Sequence, residues 1–267
     1  MSTAYDRLSG MVRLYGRRAF ENFLSSTVLI AGIGGVGSWT AESLARSGIG
    51  HLILVDPDDL CLTNTNRQIH ALDGNYGRPK VDAMAERLRA IHPEIRITCL
   101  PAFYSERSAE EIFSHGPMAV VDAIDSLRAK CHLLAECRQR GLPTVTSGAA
   151  GGRVDPTRIR VDDLSRSGRD PLLSSVRRQL RTDFDFPPGS AKGDIEPFGI
   201  EAVFSDEPAV YPTCEGEISH ERPSNLAGAI GCDAGYGSAT HVTAAFGLTC
   251  AARILEALKA RTSSTDG

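Results

Sequence analysis

No two of the seven cysteines form a CxxC pair, and their number is odd. That spacing speaks against a disulfide framework and against a four-cysteine structural zinc site, so no zinc is expected. Free thiols fit a reducing, cytoplasmic setting. Positive charge is not in excess, because 29 Lys and Arg stand against 33 Asp and Glu for a net charge of −4. A histone-like coating of nucleic acid is thereby set aside, while a local basic face stays open. The first ten residues hold no apolar run, so no signal peptide is expected. There is no fixed-period repeat, which removes solenoids and propellers. Long aliphatic runs are lacking too. One stretch, Ala234 to Leu255, is small and weakly apolar and contains Ser238, Thr240, His241, Thr243 and Arg253. It predicts a buried helix, and no stable membrane insertion is expected.

What is present suits one large α/β domain or one domain with an insertion. The chain has 267 residues and 42% of them are hydrophobic, enough for a sizeable core. Tyr5 to Phe23 reads as amphipathic helical segments broken near Gly10 and Gly16. Thr27 to Ile33, His51 to Val55, Ile95 to Leu100, Met118 to Val121 and Pro143 to Thr146 read as strands. Val36 to Arg46, Val81 to Ile91 and Leu127 to Gln139 read as the helices between them. Continuous apolar strands alternating with amphipathic helices predict a mainly parallel, doubly wound Rossmann-like sheet with helices on both faces. The implied organisation is an N-terminal helical segment (1–26), a nucleotide-binding core (27–152), a C-terminal part of the same domain (153–258) and a disordered tail (259–267).

The C-terminal part has a different texture. Arg158 to Val161 predicts a strand, Ser165 to Arg181 a basic helix, and Thr182 to Pro197 a mobile loop rich in Asp, Pro and Gly. Residues 153–192 hold nine Lys and Arg against six Asp, a local positive excess inside an acidic chain. That excess suits either a solvated helix face or a face that meets phosphates.

The strand from Thr27 runs into Gly32-Ile33-Gly34-Gly35-Val36-Gly37-Ser38, after which a helix begins. Glycine belongs where the chain turns sharply and where backbone must approach a phosphate, and the helix N-terminus then offers N–H groups to anionic oxygens. Asp56 closes the next strand, 24 residues after Gly32, where a carboxylate accepts hydrogen bonds from ribose hydroxyls. A nucleotide site follows from this combination. The glycine spacing alone also satisfies NAD. Asn64, Asn66, Arg67 and Gln68 in a polar stretch, and Lys80 at the start of a helix, favour a triphosphate, because guanidinium and ammonium groups match phosphate oxygens. Asp122 and Asp125 lie at the carboxyl end of a strand, where such sheets place ligands, and two carboxylates there suit Mg²⁺. Helix capping by Asp125 and surface ion pairing by Arg67 and Lys80 are the plainer readings.

The glycine turn, Val55-Asp56-Pro57-Asp58, Asn64-Thr65-Asn66-Arg67-Gln68, Lys80 and Asp122-Ala123-Ile124-Asp125-Ser126 together resemble the adenylating domain of ubiquitin-activating E1 enzymes. The same set is similar to the sulfur-carrier adenylyltransferases of the molybdopterin and thiamine pathways. The resemblance implies ribose binding by Asp56, with Asp58 nearby, phosphate contacts by Arg67 and Lys80, and Mg²⁺ at Asp125. A narrower likeness covers most of the chain. Arg13-Leu14-Tyr15-Gly16, Thr63 to Leu72, Gly151-Gly152-Arg153-Val154-Asp155-Pro156-Thr157, Val203-Phe204-Ser205 and Gly235-Tyr236-Gly237-Ser238-Ala239-Thr240 resemble the tRNA threonylcarbamoyladenosine dehydratase group. That group converts the modified adenosine t6A, next to the anticodon, into cyclic ct6A.

The resemblance implies that ATP is spent to adenylate the carboxylate of t6A, with release of pyrophosphate and AMP, and that Arg67, Lys80 and Asp125 serve catalysis. It also implies a homodimer, admits sulfur-relay partner proteins, and makes t6A-bearing tRNA the substrate. Arg166, Arg169, Arg177, Arg178 and Arg181 are the candidate tRNA contacts. In E1 enzymes a Cys takes the acyl group. Here Cys232, between Gly231 and Asp233, is the one cysteine in a suggestive context, though its neighbours supply no activating base. Activation of a small sulfur-carrier or ubiquitin-like protein at its C-terminal glycine is the alternative, beside an NAD-dependent oxidoreductase and a non-catalytic nucleotide module.

Overall fold

Thr27–Ala31 (β1) and His51–Val55 (β2) are buried at every position, the pattern of strands covered on both faces. The computed structural model describes residues 3–189, 195–213, 217–221 and 236–263. Three short helices, Ala4–Arg7 (α1), Ser9–Tyr15 (α2) and Arg17–Ser25 (α3), precede β1. The core then alternates Gly35–Arg46 (α4), β2, Lys80–Ile91 (α5), Arg96–Leu100 (β3), Ala109–Ser114 (α6), Ala119–Asp122 (β4), Leu127–Gln139 (α7) and Thr144–Ser147 (β5). Ile159–Asp163 (β6), Pro171–Asp183 (α8), Glu201–Ser205 (β7), the short pair Tyr211–Pro212 (β8) and Ile218–Ser219 (β9), and Thr240–Ser263 (α9) follow.

One seven-stranded sheet has the order β3-β2-β1-β4-β5-β7-β6, with every neighbouring pair parallel except β6 against β7. The strand order reverses at β1, which lies between β2 and β4. Ala31 pairs with Val55 on one side and Asp122 on the other. The carboxyl ends of these three strands therefore stand side by side at the switch point, the place where open α/β sheets form a ligand crevice.

Two faces of the sheet are covered differently. Val28, Ile30, Leu52 and Leu54 pack under α3, α4, α5 and α9, with Phe20, Leu44, Leu88 and Phe246 fully buried among them. Leu29, Ala31, Ile53 and Val55 pack against Tyr104, Ile112 and Phe113 on the other side. Val242, Phe246, Cys250, Ile254 and Leu258 recur every four residues and form the inward stripe of α9. This helix lies against α4 at Gly247, where an added Cβ would stand 2.5 Å from the Val36 carbonyl oxygen. Thr40 Oγ1 donates to the Gly247 carbonyl at 3.1 Å across the same crossing. A further cluster joins α7 to α8 through Cys131, Leu134, Leu173, Val176 and Leu180.

Several boundaries differ from the sequence expectation. The first helical break falls at Leu8 rather than Gly10, which sits inside α2; Gly16 does break the chain, with φ at 84°. β1 stops at Ala31 because Gly32 turns into the left-handed region, φ 91°. The basic helix starts at Pro171, not Ser165. Asp170 caps it by accepting the Leu173 N–H, and proline occupies its first turn. It continues to Asp183, into the stretch read as a loop; residues 190–194 of that stretch lie outside the described residues. β7 was not anticipated as a strand. α9 begins at Thr240 and extends to Ser263, inside the segment expected to be a disordered tail. Residues 264–267, residues 234–235 of the expected buried helix, and Cys232 lie outside the described residues. No described helix is long and apolar enough to cross a membrane.

Candidate active site

The glycine turn is built by close approach. A Cβ on Gly37 would lie 1.8 Å from the Gly32 carbonyl oxygen, so only glycine lets α4 start this tightly against the end of β1. Gly34 is the N-cap residue of α4 and supplies no side-chain acceptor. The first-turn N–H groups therefore have no side-chain cap, the arrangement that receives an anion. They open onto a cavity of about 840 Å³, a size suited to a nucleotide.

Gly32, Gly34 and Gly35 line this cavity together with Asp56, Asp58, Asn64, Arg67, Gln68, Lys80 and Asp125. Residues spread over nearly a hundred positions thus converge on one crevice. Asp56, at the end of β2, accepts the Ile33 N–H at 2.6 Å and the Asp58 N–H at 3.0 Å, which fixes its carboxylate beside the turn. Burial pushes its carboxyl above the usual carboxylate range, against the pull of Lys80 at 3.6 Å. Lys80 opens α5, is nearly buried, and donates to Asp58 Oδ2 at 2.6 Å. Its ammonium is held between two carboxylates, facing the cavity.

Arg67 passes beside Gly35, where an added Cβ would meet its Cδ at 3.4 Å. Its backbone carbonyl accepts the Trp39 indole N–H at 3.0 Å, tying the Arg67 loop to α4. Nη1 donates to the Thr63 carbonyl at 2.8 Å, while the buried Nε has no partner. The Gln68 side-chain oxygen is likewise buried and unpaired. Buried polar atoms are normally satisfied, and both of these belong to residues that line the cavity.

Three predicted nucleotide residues are not brought to the cavity wall. Gly37 lies behind the turn, pressed on Gly32. Asn66 stands behind the wall, where its Nδ2 donates to the Ser238 carbonyl at 2.7 Å and its Oδ1 accepts from Arg67 Nη1 at 3.1 Å. Asp122 is fully buried and paired with Lys130 Nζ at 2.8 Å, and its other contacts are Thr146 Oγ1 at 2.7 Å and the Ile124 N–H at 3.1 Å. Its charge is satisfied inside the protein, so the expected pair of metal-facing carboxylates reduces to Asp125 alone. Asn64 does line the cavity, but its Oδ1 is engaged by the Cys61 N–H at 3.0 Å. Asp125 is exposed and makes no capping bond to α7, whose N-cap is Ser126. Among the described residues no group of three or more His, Cys, Asp or Glu converges as a metal site.

The far wall of the cavity is formed by Ser147 to Gly151, Arg153, Pro171, Leu172, Tyr211 and Tyr236. Asp170 joins its parts by accepting the Ala149 N–H at 2.8 Å while capping α8. The basic helix is thereby seated at the edge of the crevice. Its arginines do not form one uniform face. Arg178 and Arg169 are exposed. Arg166 is exposed and pairs with Asp162 at 2.9 Å. Arg177 is half-buried and donates to Ser167 Oγ at 2.6 Å. Arg181 donates to the Pro187 carbonyl at 3.0 Å and lies over the Phe198 ring.

The sequence marks Arg153 only as part of a glycine-rich motif and as the first of the nine basic residues of segment 153–192, with no individual role. It is 4% exposed, lines the cavity, and its Nε and Nη1 have no partner. The pair of glycines immediately before it was the available signal. Lys130, on an amphipathic helix, was also passed over.

The ThiF family model matches residues 5–265 of this chain. The tRNA threonylcarbamoyladenosine dehydratase of Escherichia coli K12 is 43% identical over 261 residues, 96% of this chain and 94% of that protein. The protein of the same description from Haemophilus influenzae is 38% identical over 253 residues, 95% of this chain and 93% of that one. A crystal structure of the E. coli dehydratase in complex with ATP superposes with a TM-score of 0.84 at 42% identity, covering 97% of this chain and 96% of that one.

Proposed function

This chain belongs to the ThiF family, and from that premise we infer that it is an ATP-dependent dehydratase acting on t6A in tRNA. It adenylates the carboxylate of t6A, next to the anticodon, and promotes closure to ct6A with release of pyrophosphate and AMP. The observation that carries the reading is the crevice at the end of β1, where Arg67, Lys80 and the uncapped start of α4 meet beside Asp56. A relative alike over nearly its whole length has been crystallised with ATP.

A free carboxylate is a poor electrophile at neutral pH. One of its oxygens attacks the α-phosphorus of ATP, and the bond from that phosphorus to pyrophosphate breaks. Negative charge spreads over the phosphates as this happens. Arg67, Lys80 and the N-terminus of α4 stabilise it electrostatically, usually the largest catalytic contribution. Asp56 accepts hydrogen bonds from the ribose hydroxyls. In the second step a nitrogen or oxygen of the substrate's own carbamoyl arm attacks the activated carbon. AMP leaves, carrying the former carboxylate oxygen, and the nucleophile loses its proton. The nucleophile is already tethered, so proximity supplies much of this step.

A divalent cation fits the donor set. Asp125 is an exposed carboxylate just past the end of β4 that lines the cavity, and Mg²⁺ commonly takes one or two carboxylates together with phosphates and water. Bound there it would neutralise phosphate charge, with Asp125 holding it. The tRNA backbone meets Arg166, Arg169 and Arg178 at the edge of the crevice. Arg177 and Arg181 support that face more than they contact it. The enzyme works as a homodimer in the reducing cytoplasm, where the free Cys61 and Cys99 persist, and accepts sulfur-relay proteins as partners.

Incubation with ATP, Mg²⁺ and t6A-bearing tRNA, followed by mass analysis of the nucleosides, tests the reading. It predicts loss of the mass of one water from t6A. AMP formation only on addition of a small carrier protein, with t6A unchanged, would replace it by the E1-like alternative.

A further inference from the structure

We propose that Arg153 is the residue that binds the carboxylate of the substrate and presents it to the nucleotide. The proposal rests on the reading of the crevice as a t6A-adenylating site and deepens it. Arg153 is 4% exposed and lines the cavity, yet its buried Nε and Nη1 have no hydrogen-bond partner. A guanidinium cannot shed its charge, so a buried one with free donors calls for an anion.

The phosphates of the nucleotide are already served from the other wall by Arg67, Lys80 and the start of α4. Arg153 stands on the wall that follows β5, among Ala149, Gly151, Leu172 and Tyr236. The second anion of the reaction is the carboxylate. It must lie within reach of the α-phosphorus but outside the triphosphate's own cradle, and this wall offers that position.

The backbone around Arg153 is fastened on both sides. Gly152 donates its N–H to the Gly237 carbonyl at 2.8 Å and accepts the Val210 N–H at 2.9 Å. The Val154 N–H donates to Glu207 Oε2 at 3.0 Å, and the Val154 carbonyl meets His241 Nε2 at 3.0 Å. Gly152 holds φ at 69°, and a Cβ there would stand 2.8 Å from the Val210 carbonyl oxygen. The backbone that carries the side chain is therefore fixed against the cavity wall. The segment from Tyr236 to Thr243 reaches across to the other wall, because Ser238 accepts from Asn66 and Thr243 lies against Gly35. Arg153 and Arg67 are in this way braced against one strap of chain. Tyr211 and Tyr236, with ring centroids 5.3 Å apart, line the same wall of the cavity.

The carboxylate oxygen that faces Arg153 stays behind as the carbonyl oxygen of the acyl-adenylate, and the other forms the bond to phosphorus. The same guanidinium then meets the charge that gathers on that carbonyl oxygen as the ring closes. No bond to Arg153 is made or broken.

Arg153→Gln and Arg153→Lys test this with two readouts on the full chain. The first is ATP affinity by calorimetry, with thermal midpoint as a folding check. The second is kcat/KM for t6A tRNA, with binding of that tRNA against the same tRNA carrying plain adenosine. The expectation for Arg153→Gln is ATP affinity within about 2-fold of wild type, and a drop on the order of 100-fold in kcat/KM. Its preference for t6A over adenosine should also vanish. Arg153→Lys, which keeps the charge without the fork, should fall between the two. It carries the test if the Gln variant fails to fold. A parallel loss of ATP affinity would make Arg153 a phosphate ligand, and full turnover with the t6A preference intact would give it no role; either overturns the proposal. A wild-type enzyme that leaves t6A unchanged overturns the underlying reading, a failure visible before any variant is measured.

Discussion

Lys130 Nζ lies 2.8 Å from Asp122 Oδ2, and both side chains are fully buried. Lys130 also donates to the Ile124 carbonyl at 2.9 Å, so the pair anchors the loop that carries Asp125 to the cavity. Removing one member of such a pair strands a charge in the core, at a cost of about 3–5 kcal/mol. Lys130→Met should lower stability by that amount in urea titrations. Replacing both residues, Lys130→Met with Asp122→Leu, should recover part of the loss, because two apolar groups no longer strand a charge. A single variant as stable as wild type would show that the pair is not what holds this loop.

Arg67 lines the cavity beside Gly35, at the start of α4. Arg67→Ala should reduce kcat by roughly 100- to 1,000-fold, the scale of losing one preorganised donor to a developing charge. ATP affinity should fall less than kcat, since the charge to be stabilised grows in the transition state. Single-turnover kinetics with titrated ATP separates the two. Turnover at the wild-type rate would remove Arg67 from the mechanism.

The core fold was legible because each of its signals is local. Five strand-like runs alternate with helices, and the acid at position 56 falls at the end of the second run. Gly32, Asp56, Lys80 and Asp125 were legible for the same reason, standing at strand ends and a helix start, while Asn64, Arg67 and Gln68 stood out as a polar stretch between them. What escaped depended on partners distant in sequence. Asp122 and Asp125 are alike as letters; only Lys130, one inward turn of α7, decides that Asp122 is spent internally. A lysine on an amphipathic helix reads as solvated, so that pairing left no trace. Asn66 is drawn off by Ser238, 172 positions away. β7 is a short strand after a stretch of Asp, Pro and Gly, and its role follows from pairing with β5 and β6 rather than from its own pattern. Arg153 combined both difficulties, being a charge in a positive segment that the fold buries to 4% exposure.

The exposed arginines at the edge of the crevice predict a salt-dependent contact. Arg169→Ala and Arg178→Ala should each weaken tRNA binding whatever its modification, and each should reduce the slope of log affinity against log salt by about one phosphate contact. Filter binding over a range of salt checks this. Arg177→Ala should act on stability instead, because its guanidinium is engaged by Ser167 and half-buried. Unchanged slopes in the first two variants would move the tRNA to another face.

His70 supplies a pH dependence of stability. Burial, then the nearby charges of Lys80 and Arg87, hold its imidazole at a pKa of about 4, below the ordinary 6.5. The unfolded chain binds a proton below 6.5 that the folded chain refuses until about 4. Stability therefore falls as pH drops through that window, by up to ~3 kcal/mol from this group. Denaturant titrations at several pH values should give a shallower decline for His70→Gln than for wild type. Equal slopes would mean that His70 does not stay neutral in the fold.

The central claim is that the substrate's carboxyl oxygen attacks the α-phosphorus of ATP bound at the glycine turn. The most direct measurement places a heavy-oxygen label in the carboxylate of t6A tRNA and analyses the phosphates after one turnover. One labelled oxygen is expected in AMP and none in the pyrophosphate. Label appearing in inorganic phosphate with ADP, or only in water, would contradict it.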